Sequence, residues 1–266
     1  MSQGATRVAS GAALVLLAVA VVWFAPGPVF FVVAEALLLL AFREYVLLAQ
    51  ASGLKVPAVA AGAAAALTCG AFSRIFVTAP LDVVLMSALV ALAGIAMTGW
   101  SRGKDALGSA AAAIFPSLYL GLPIGAMIAV REGHGREPLL LLMVTVMVSD
   151  TAQYYSGRAF GRRLLAPAIS PKKTIAGAVG GFAFGGVFLA LAGRWWLPDA
   201  PMLLRAGLGI AVVAAGIVGD LFESMLKRSA GVKDSSTLIP GHGGILDRID
   251  ALLFAAPIYY SVLKYL

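Results

Sequence analysis

Residues 79–99 read Ala-Pro-Leu-Asp-Val-Val-Leu-Met-Ser-Ala-Leu-Val-Ala-Leu-Ala-Gly-Ile-Ala-Met-Thr-Gly, and the only charge in that run is Asp82. A helix needs roughly 20 mostly apolar residues to cross the hydrocarbon core of a bilayer, and this run meets that length. Eight further runs come near it: 9–25, 28–50, 56–73, 106–130, 138–156, 174–193, 202–226 and 250–266. Short breaks rich in Pro, Gly or charge separate them, among them Pro26-Gly27-Pro28, Ser101-Arg102-Gly103-Lys104 and Arg131-Glu132-Gly133-His134-Gly135. The first run reads as a helix rather than a cleaved leader, because Trp23-Phe24 leads into Pro26 instead of a small-residue cleavage site. The sequence therefore predicts an all-α polytopic membrane protein of about nine transmembrane helices. No interval has the length of a separate soluble domain, so residues 1–266 are expected to form a single integral membrane domain, with amino-terminal helices in 1–137 and the chemistry-bearing helices in 138–266.

Composition agrees. Of 266 residues, 61% are hydrophobic and 12% charged, and the mean hydropathy is +0.93. A soluble domain carries about 25% charge, and a compact water-soluble fold could not bury this much apolar surface. Soluble-enzyme, disordered and disulfide-scaffold readings are thereby excluded. The lone Cys69 forms no intrachain disulfide, and with two histidines it rules out a zinc site built from His and Cys alone. The net charge of +7 suits anionic lipids or phosphates. Alternating the nine runs across a bilayer puts fourteen of the twenty Lys and Arg on one side, where the 157–173 and 227–248 segments hold nine of them. Positive charge stays inside, which predicts a cytoplasmic amino terminus and two basic cytoplasmic loops. The Gly-rich run 177–186 reads as close helix packing; no Gly-Lys-Ser/Thr follows it, so it is no phosphate loop.

Thirteen acids in so apolar a chain can be placed one by one. Glu44, Asp105, Glu132, Glu137 and Asp199 read as solvated or ion-paired residues near short loops, and Glu35 and Asp82 as locally hydrogen-bonded acids within spans. Asp150, Asp220, Glu223, Asp234, Asp247 and Asp250 instead gather at the cytoplasmic ends of the last spans or in the loop joining them. On a helix, Asp220, Glu223, Ser224 and Lys227 stand at i, i+3, i+4 and i+7, one face with two acids and a cation. Pro240-Gly241-His242-Gly243-Gly244 then makes a turn of little side-chain bulk, where backbone amides could approach phosphate oxygens. Asp247 and Asp250 follow, with Arg248 between them. Hard carboxylates beside Lys and Arg match a magnesium–polyphosphate site, in which acids hold the metal and cations and amides hold the phosphates. The plainer reading, a solvated loop stitched by ion pairs, does not account for the glycine turn and the paired acids together.

A second cluster opens with Asp150 and Tyr154 and continues through Gly157-Arg158-Ala159-Phe160-Gly161-Arg162-Arg163 to Ser170-Pro171-Lys172-Lys173-Thr174. Topology alone can explain its basic residues, yet Ser, two Lys and Thr at a helix amino terminus also form a ready anion site.

The pattern Ser224-x-x-Lys227-Arg228-x4-Lys233-Asp234-x5-Pro240-Gly241-His242-Gly243-Gly244-x-x-Asp247-Arg248-x-Asp250 resembles that of the phosphatidate cytidylyltransferase (CDP-diacylglycerol synthase) family. The 150–174 cluster resembles that family's other recurring segment, with one departure: Ile175-Ala176-Gly177 stands where Trp-Glu-Gly is common, so any role of that Glu is absent or moved. The amino-terminal half adds only apolar spans to the likeness. The resemblance implies a polytopic, magnesium-dependent enzyme of the cell (inner) membrane whose site faces the cytoplasm, making CDP-diacylglycerol and pyrophosphate from CTP and phosphatidic acid. It also implies a homodimer embedded among membrane lipids, with no nucleic acid as partner, and leaves open a second cation beside Mg2+.

Carried onto this chain, the resemblance gives Asp220 and Asp247 first claim on the metal, with Asp250, Glu223 and Asp150 as further candidates. Lys227, Arg228, Lys233 and Arg248 would neutralise the triphosphate, with Lys227, Arg228, Asp220 and Asp247 at the centre of the reaction. Gly243 and Gly244 would admit phosphate to bare amides. Ser170, Lys172 and Lys173 would hold the phosphatidate headgroup or the triphosphate, with Thr174, Tyr154, Ser224 and Asp234 as further substrate contacts. His242 is placed equally well donating to a phosphate or holding the turn. Two other readings stay open: a CTP-using membrane enzyme with another lipid acceptor, and an organic-anion transporter, against which the one-sided placement of the acids speaks.

Overall fold

The computed structural model describes residues 3–75, 79–98, 106–239 and 243–266, with side chains from residue 11 onward. His242, Arg102, Lys104, Asp105 and the side chain of Arg7 lie outside the described residues. Each of the nine apolar runs is helical: α1 Gln3–Phe24, α2 Gly27–Ala51, α3 Ala58–Gly70, α4 Leu81–Thr98, a rod from Ala106 to Gly133, α7 Arg136–Phe160, α8 Ile175–Trp196, α9 Met202–Ser229 and α10 Leu246–Leu263. The rod consists of α5 Ala106–Pro116, a π-helical turn Ser117–Gly121 and α6 Leu122–Gly133. Pro116 lies where the regular ladder gives way, as expected of a residue without an N–H whose ring crowds the preceding turn.

Four of these helices are long and apolar enough by length and composition to cross a bilayer: Leu81–Thr98, the rod Ala106–Gly133, Ile175–Trp196 and Met202–Ser229. Helices α2 and α10 are diluted by charge, the first by Glu35, Arg43 and Glu44, the second by Asp247, Arg248 and Asp250. The chain is thus an α-helical integral membrane protein. Its lipid-facing side is plainest on α4, where Val83, Met86, Leu89, Val90 and Met97 are all exposed.

One element departs from the all-α expectation. Leu164–Ala166 (β1) and Ser170–Thr174 (β2) form a small antiparallel hairpin between α7 and α8, with Leu164 opposite Thr174 and Ala166 opposite Ser170. The segment is too polar and too short to continue either helix, and pairing the two arms satisfies backbone groups where the chain turns.

The four carboxy-terminal helices pack through small residues. A Cβ at Gly209 of α9 would stand 2.7 Å from the Gly186 carbonyl of α8, and one at Gly177 would stand 2.8 Å from the Gln153 carbonyl of α7. Glycine at these points lets the backbones approach, as membrane helix packing requires. Thr174 caps α8, its Oγ1 accepting from the Gly177 amide at 3.1 Å. Cβ atoms at Gly157 and Gly161 would lie 2.9 and 2.8 Å from that same oxygen. The glycines of the 157–161 segment therefore make room for the cap. Tyr259 of α10 donates to the Pro138 carbonyl at the start of α7 at 2.9 Å, and Tyr45 of α2 to that of Ala112 in the rod at 2.9 Å, each tying distant helices within its own half of the chain.

At the end of the bundle formed by the α6–α7 junction, basic residues are occupied structurally. Arg131 donates to the carbonyls of Val22 and Ala25 at the end of α1, and Arg136 donates to that of Trp23 while lying 4.4 Å from its ring. Cations suit the carbonyl end of a helix. Glu132 accepts from Ser73 Oγ and from the Arg74 amide, so this acid holds a loop rather than standing in solvent.

Candidate active site

At the opposite end, the last turns of α7 and α9, the hairpin and the start of α10 bring the acids of the sequence motif together. They form two groups. The first is centred on Lys227, only 9% exposed, whose ammonium ion-pairs with Glu223 one turn earlier and with Asp247 of α10 at 2.5 Å. Glu223 is fully buried. The other oxygen of Asp247 accepts from the Ser235 amide at 3.0 Å and from the Gly244 amide at 2.8 Å, and lies 2.8 Å from Ser235 Oγ, whose single proton it shares with Glu44. The ammonium offsets one of the two carboxylate charges, leaving the group with one net negative charge, and Asp247 is further held by the Ser235 and Gly244 amides. The sequence expectation of a phosphate-facing Lys227 meets a residue already engaged on both sides.

The second group is Asp150 of α7, Asp220 of α9 and Asp250 of α10, with Asp220 near enough that its charge reaches both of the others. Lys173, at the end of the hairpin, ion-pairs with Asp220, and Ser224 donates to the same residue at 3.5 Å. Asp150 accepts from Gln153 at 3.0 Å, and Asp250 accepts from the Ala251 amide at 2.8 Å. Among the described residues neither Asp150 nor Asp250 has an ion-pair partner. Arg248 is exposed on α10 and its charge reaches Asp150. Three hard oxygen donors with one lysine, paired to Asp220 alone, carry excess negative charge, the character that would suit a hard divalent cation. Among the described residues no three His, Cys, Asp or Glu side chains converge as a ready-made metal cage. Glu223 and Asp247, both turned onto the Lys227 ammonium, fit such a cation less well.

The remaining candidates divide by exposure. Lys172, Arg228, Lys233, Asp234, Arg248 and Tyr154 are exposed, with Arg228 donating to the Val232 carbonyl at 3.2 Å and Arg158 to the Tyr154 hydroxyl at 3.4 Å. Ser170 is half-buried in the hairpin. Thr174 is engaged as the α8 cap. Gly243 has a φ of +78°, which favours glycine, and its carbonyl accepts from the Ile239 amide at 2.8 Å. The Gly244 amide, expected to be free for phosphate, donates to Asp247, and a Cβ at that residue would collide with Ser235 and Glu44.

Glu44 is the residue that sequence reasoning missed. Read as a solvated or ion-paired acid near a loop, it is instead 3% exposed and accepts from Ser235 Oγ, Ser236 Oγ and the amides of Ile245 and Leu246. The available signal was its position inside the apolar run 28–50, well before that run ends.

Carboxylates and lysines gathered at one end of a glycine-packed helical bundle define an integral membrane protein with a charged site where the helices end. A sequence profile of the cytidylyltransferase family matches residues 5–266, and the chain belongs to that family. It is 45% identical over 130 residues to the phosphatidate cytidylyltransferase of Haemophilus influenzae, covering 47% of this chain and 45% of that protein. To that of Pseudomonas aeruginosa it is 47% identical over 126 residues, covering 47% and 46%. To that of Brucella suis it is 37% identical over 207 residues, covering 71% and 73%. Against the first two of these relatives the match spans about half their length.

Proposed function

We propose that the chain is a phosphatidate cytidylyltransferase, joining the cytidylyl group of CTP to phosphatidic acid. The observation that carries this reading is the Asp150–Asp220–Asp250 group with Lys173, in a chain that belongs to the cytidylyltransferase family. In the reaction a phosphate oxygen of phosphatidate bonds to the α-phosphorus of CTP. The bond from that phosphorus to the oxygen bridging it to the β-phosphate breaks, and pyrophosphate leaves with the electron pair. The attacking phosphate is already anionic near neutral pH, so no strong general base is required, and the barrier is the approach of one anion to another. Catalysis then rests on positioning and charge neutralisation. Asp150, Asp220 and Asp250 would hold Mg2+, which when bound supplies positive charge to the triphosphate. Lys173, Lys172 and Arg248 attract the phosphates from the hairpin and α10, and Arg228 and Lys233 do so from the loop edge. The exposed Tyr154, at the end of α7, suits the headgroup level of a bilayer.

In the same reading the nine helices of one integral domain all traverse the inner membrane, the amino terminus and the site are cytoplasmic, and the protein works as a homodimer. Arg131 and Arg136, held against the end of α1, account for basic residues on the far side without weakening that orientation. Purified protein given labelled CTP, Mg2+ and phosphatidic acid should release pyrophosphate and label the lipid. Release with no lipid acceptor, or only with a different one, overturns the assignment of phosphatidate. For the orientation, single cysteines at the exposed Ala159 and Leu238, in a Cys69→Ala background, should react with an impermeant maleimide only from the cytoplasmic face. Modification from outside overturns it.

A further inference from the structure

Four donor groups, one of them the Ser235 hydroxyl shared with Asp247, converge on Glu44 of α2 from residues 191 to 202 positions further along the chain. Ser235 Oγ at 2.9 Å and the Leu246 amide at 2.8 Å donate to Oε2; Ser236 Oγ at 2.6 Å and the Ile245 amide at 2.9 Å donate to Oε1. Helix α10 starts at Leu246, and Ile245 supplies no side-chain cap of its own. Its first amides therefore end on a carboxylate borrowed from a distant helix, which also complements the positive end of the helix dipole. Among the described residues no Lys or Arg pairs with Glu44. A buried carboxylate is tolerated only when its oxygens are fully hydrogen-bonded, so the loop donors and Glu44 depend on one another. A Cβ at Gly244 would collide with the Glu44 carboxylate and with Ser235, so the bare glycine is what allows Glu44 to reach α10.

We propose that Glu44 is a positioning residue for the nucleotide: it holds Ser235, Ser236, Ile245 and Leu246 together and with them the start of α10, which carries Asp247, Arg248 and Asp250. The proposal rests on the reading that this end of the bundle takes CTP. It makes the geometry of the site depend on α2, far along the chain from the other residues assigned to it.

Glu44→Gln tests it. The two backbone amides end on different oxygens, and a glutamine offers only one acceptor oxygen. The serine hydroxyls can rotate to suit the new amide, but the backbone amides cannot. Hydrogen exchange at Ile245 and Leu246 should accelerate about tenfold or more while α7 and α8 keep their protection. The KM for CTP should rise about tenfold, the effect of one lost charge-assisted hydrogen bond, with the KM for phosphatidate unchanged. Ser236→Ala leaves the backbone donors in place; it should raise the KM for CTP about threefold, add nothing to Glu44→Gln, and serve alone where Glu44→Gln does not fold. Unchanged exchange at Ile245 and Leu246 overturns the anchor. Faster exchange with both KM values unchanged leaves Glu44 a fold-holding residue and overturns its positioning role. A wild-type protein that releases no pyrophosphate overturns the functional reading instead, while the exchange result still decides the anchor.

Discussion

Asp250→Asn is expected to fold at least as well as the unaltered protein and to turn over about 10²–10³-fold more slowly, the usual scale for losing one preorganised electrostatic contact to a transferring group. The reason lies in the Asp150–Asp220–Asp250 group, where only Asp220 of the three carboxylates has a lysine paired to it. Removing one negative charge relieves repulsion in the metal-free protein, so its melting midpoint should hold or rise. The same change removes the charge that a hard divalent ion needs, so turnover falls and raised Mg2+ restores part of it. Asp247→Asn should behave in the opposite sense. Its carboxylate holds Lys227, Ser235 and the Gly244 amide, so the metal-free midpoint should drop. Turnover against Mg2+, measured beside the metal-free melting midpoint for both variants, separates the two roles. Near-normal turnover in a folded Asp250→Asn protein removes the proposed metal group.

Lys227→Met should cost stability before it costs anything else. The ammonium is the counter-charge of Glu223 and Asp247, whose side chains are 0% and 5% exposed. Breaking a buried ion pair by removing one partner costs about 3–5 kcal/mol, because the charge left behind is uncompensated. Methionine keeps the length of the side chain, so lost packing contributes little. The double variant Lys227→Met/Glu223→Gln removes one of the stranded charges and should recover a large part of the loss. Melting in detergent without nucleotide is the measurement. A Lys227→Met protein that melts like the unaltered one, with only its CTP response weakened, would place the ammonium on a phosphate rather than between carboxylates.

The helical runs were legible because bilayer thickness acts on every span alike: a run such as 79–99 has one solution whatever its neighbours do. The one-sided placement of Asp150, Asp220, Glu223, Asp247 and Asp250 was legible too, since spans of known length put both ends of each helix in register. Local spacing also placed Asp220, Glu223 and Lys227 on one face of α9. The hairpin 164–174 was not legible, because its polar residues read equally well as a loop and as an anion site.

The partners of each carboxylate were decided by the tertiary structure alone. Whether Lys227 meets a phosphate or two acids depends on how near α10 comes to α9, and that approach is set by pairs such as Gly219 against the Asp250 backbone. Thr174 reads as a substrate contact until α7 and α8 close around it and make it a cap. Glu44 reads as a loop acid until the chain returns 191 residues later to surround it with donors. Hydropathy along the chain determined that this protein lives in a membrane and at which end its charges collect, because burial in lipid is a property of each segment by itself. Which of those charges are engaged in holding the fold, and which keep unbalanced charge for a ligand, is a property of pairs of segments, and it exists only once the helices have packed.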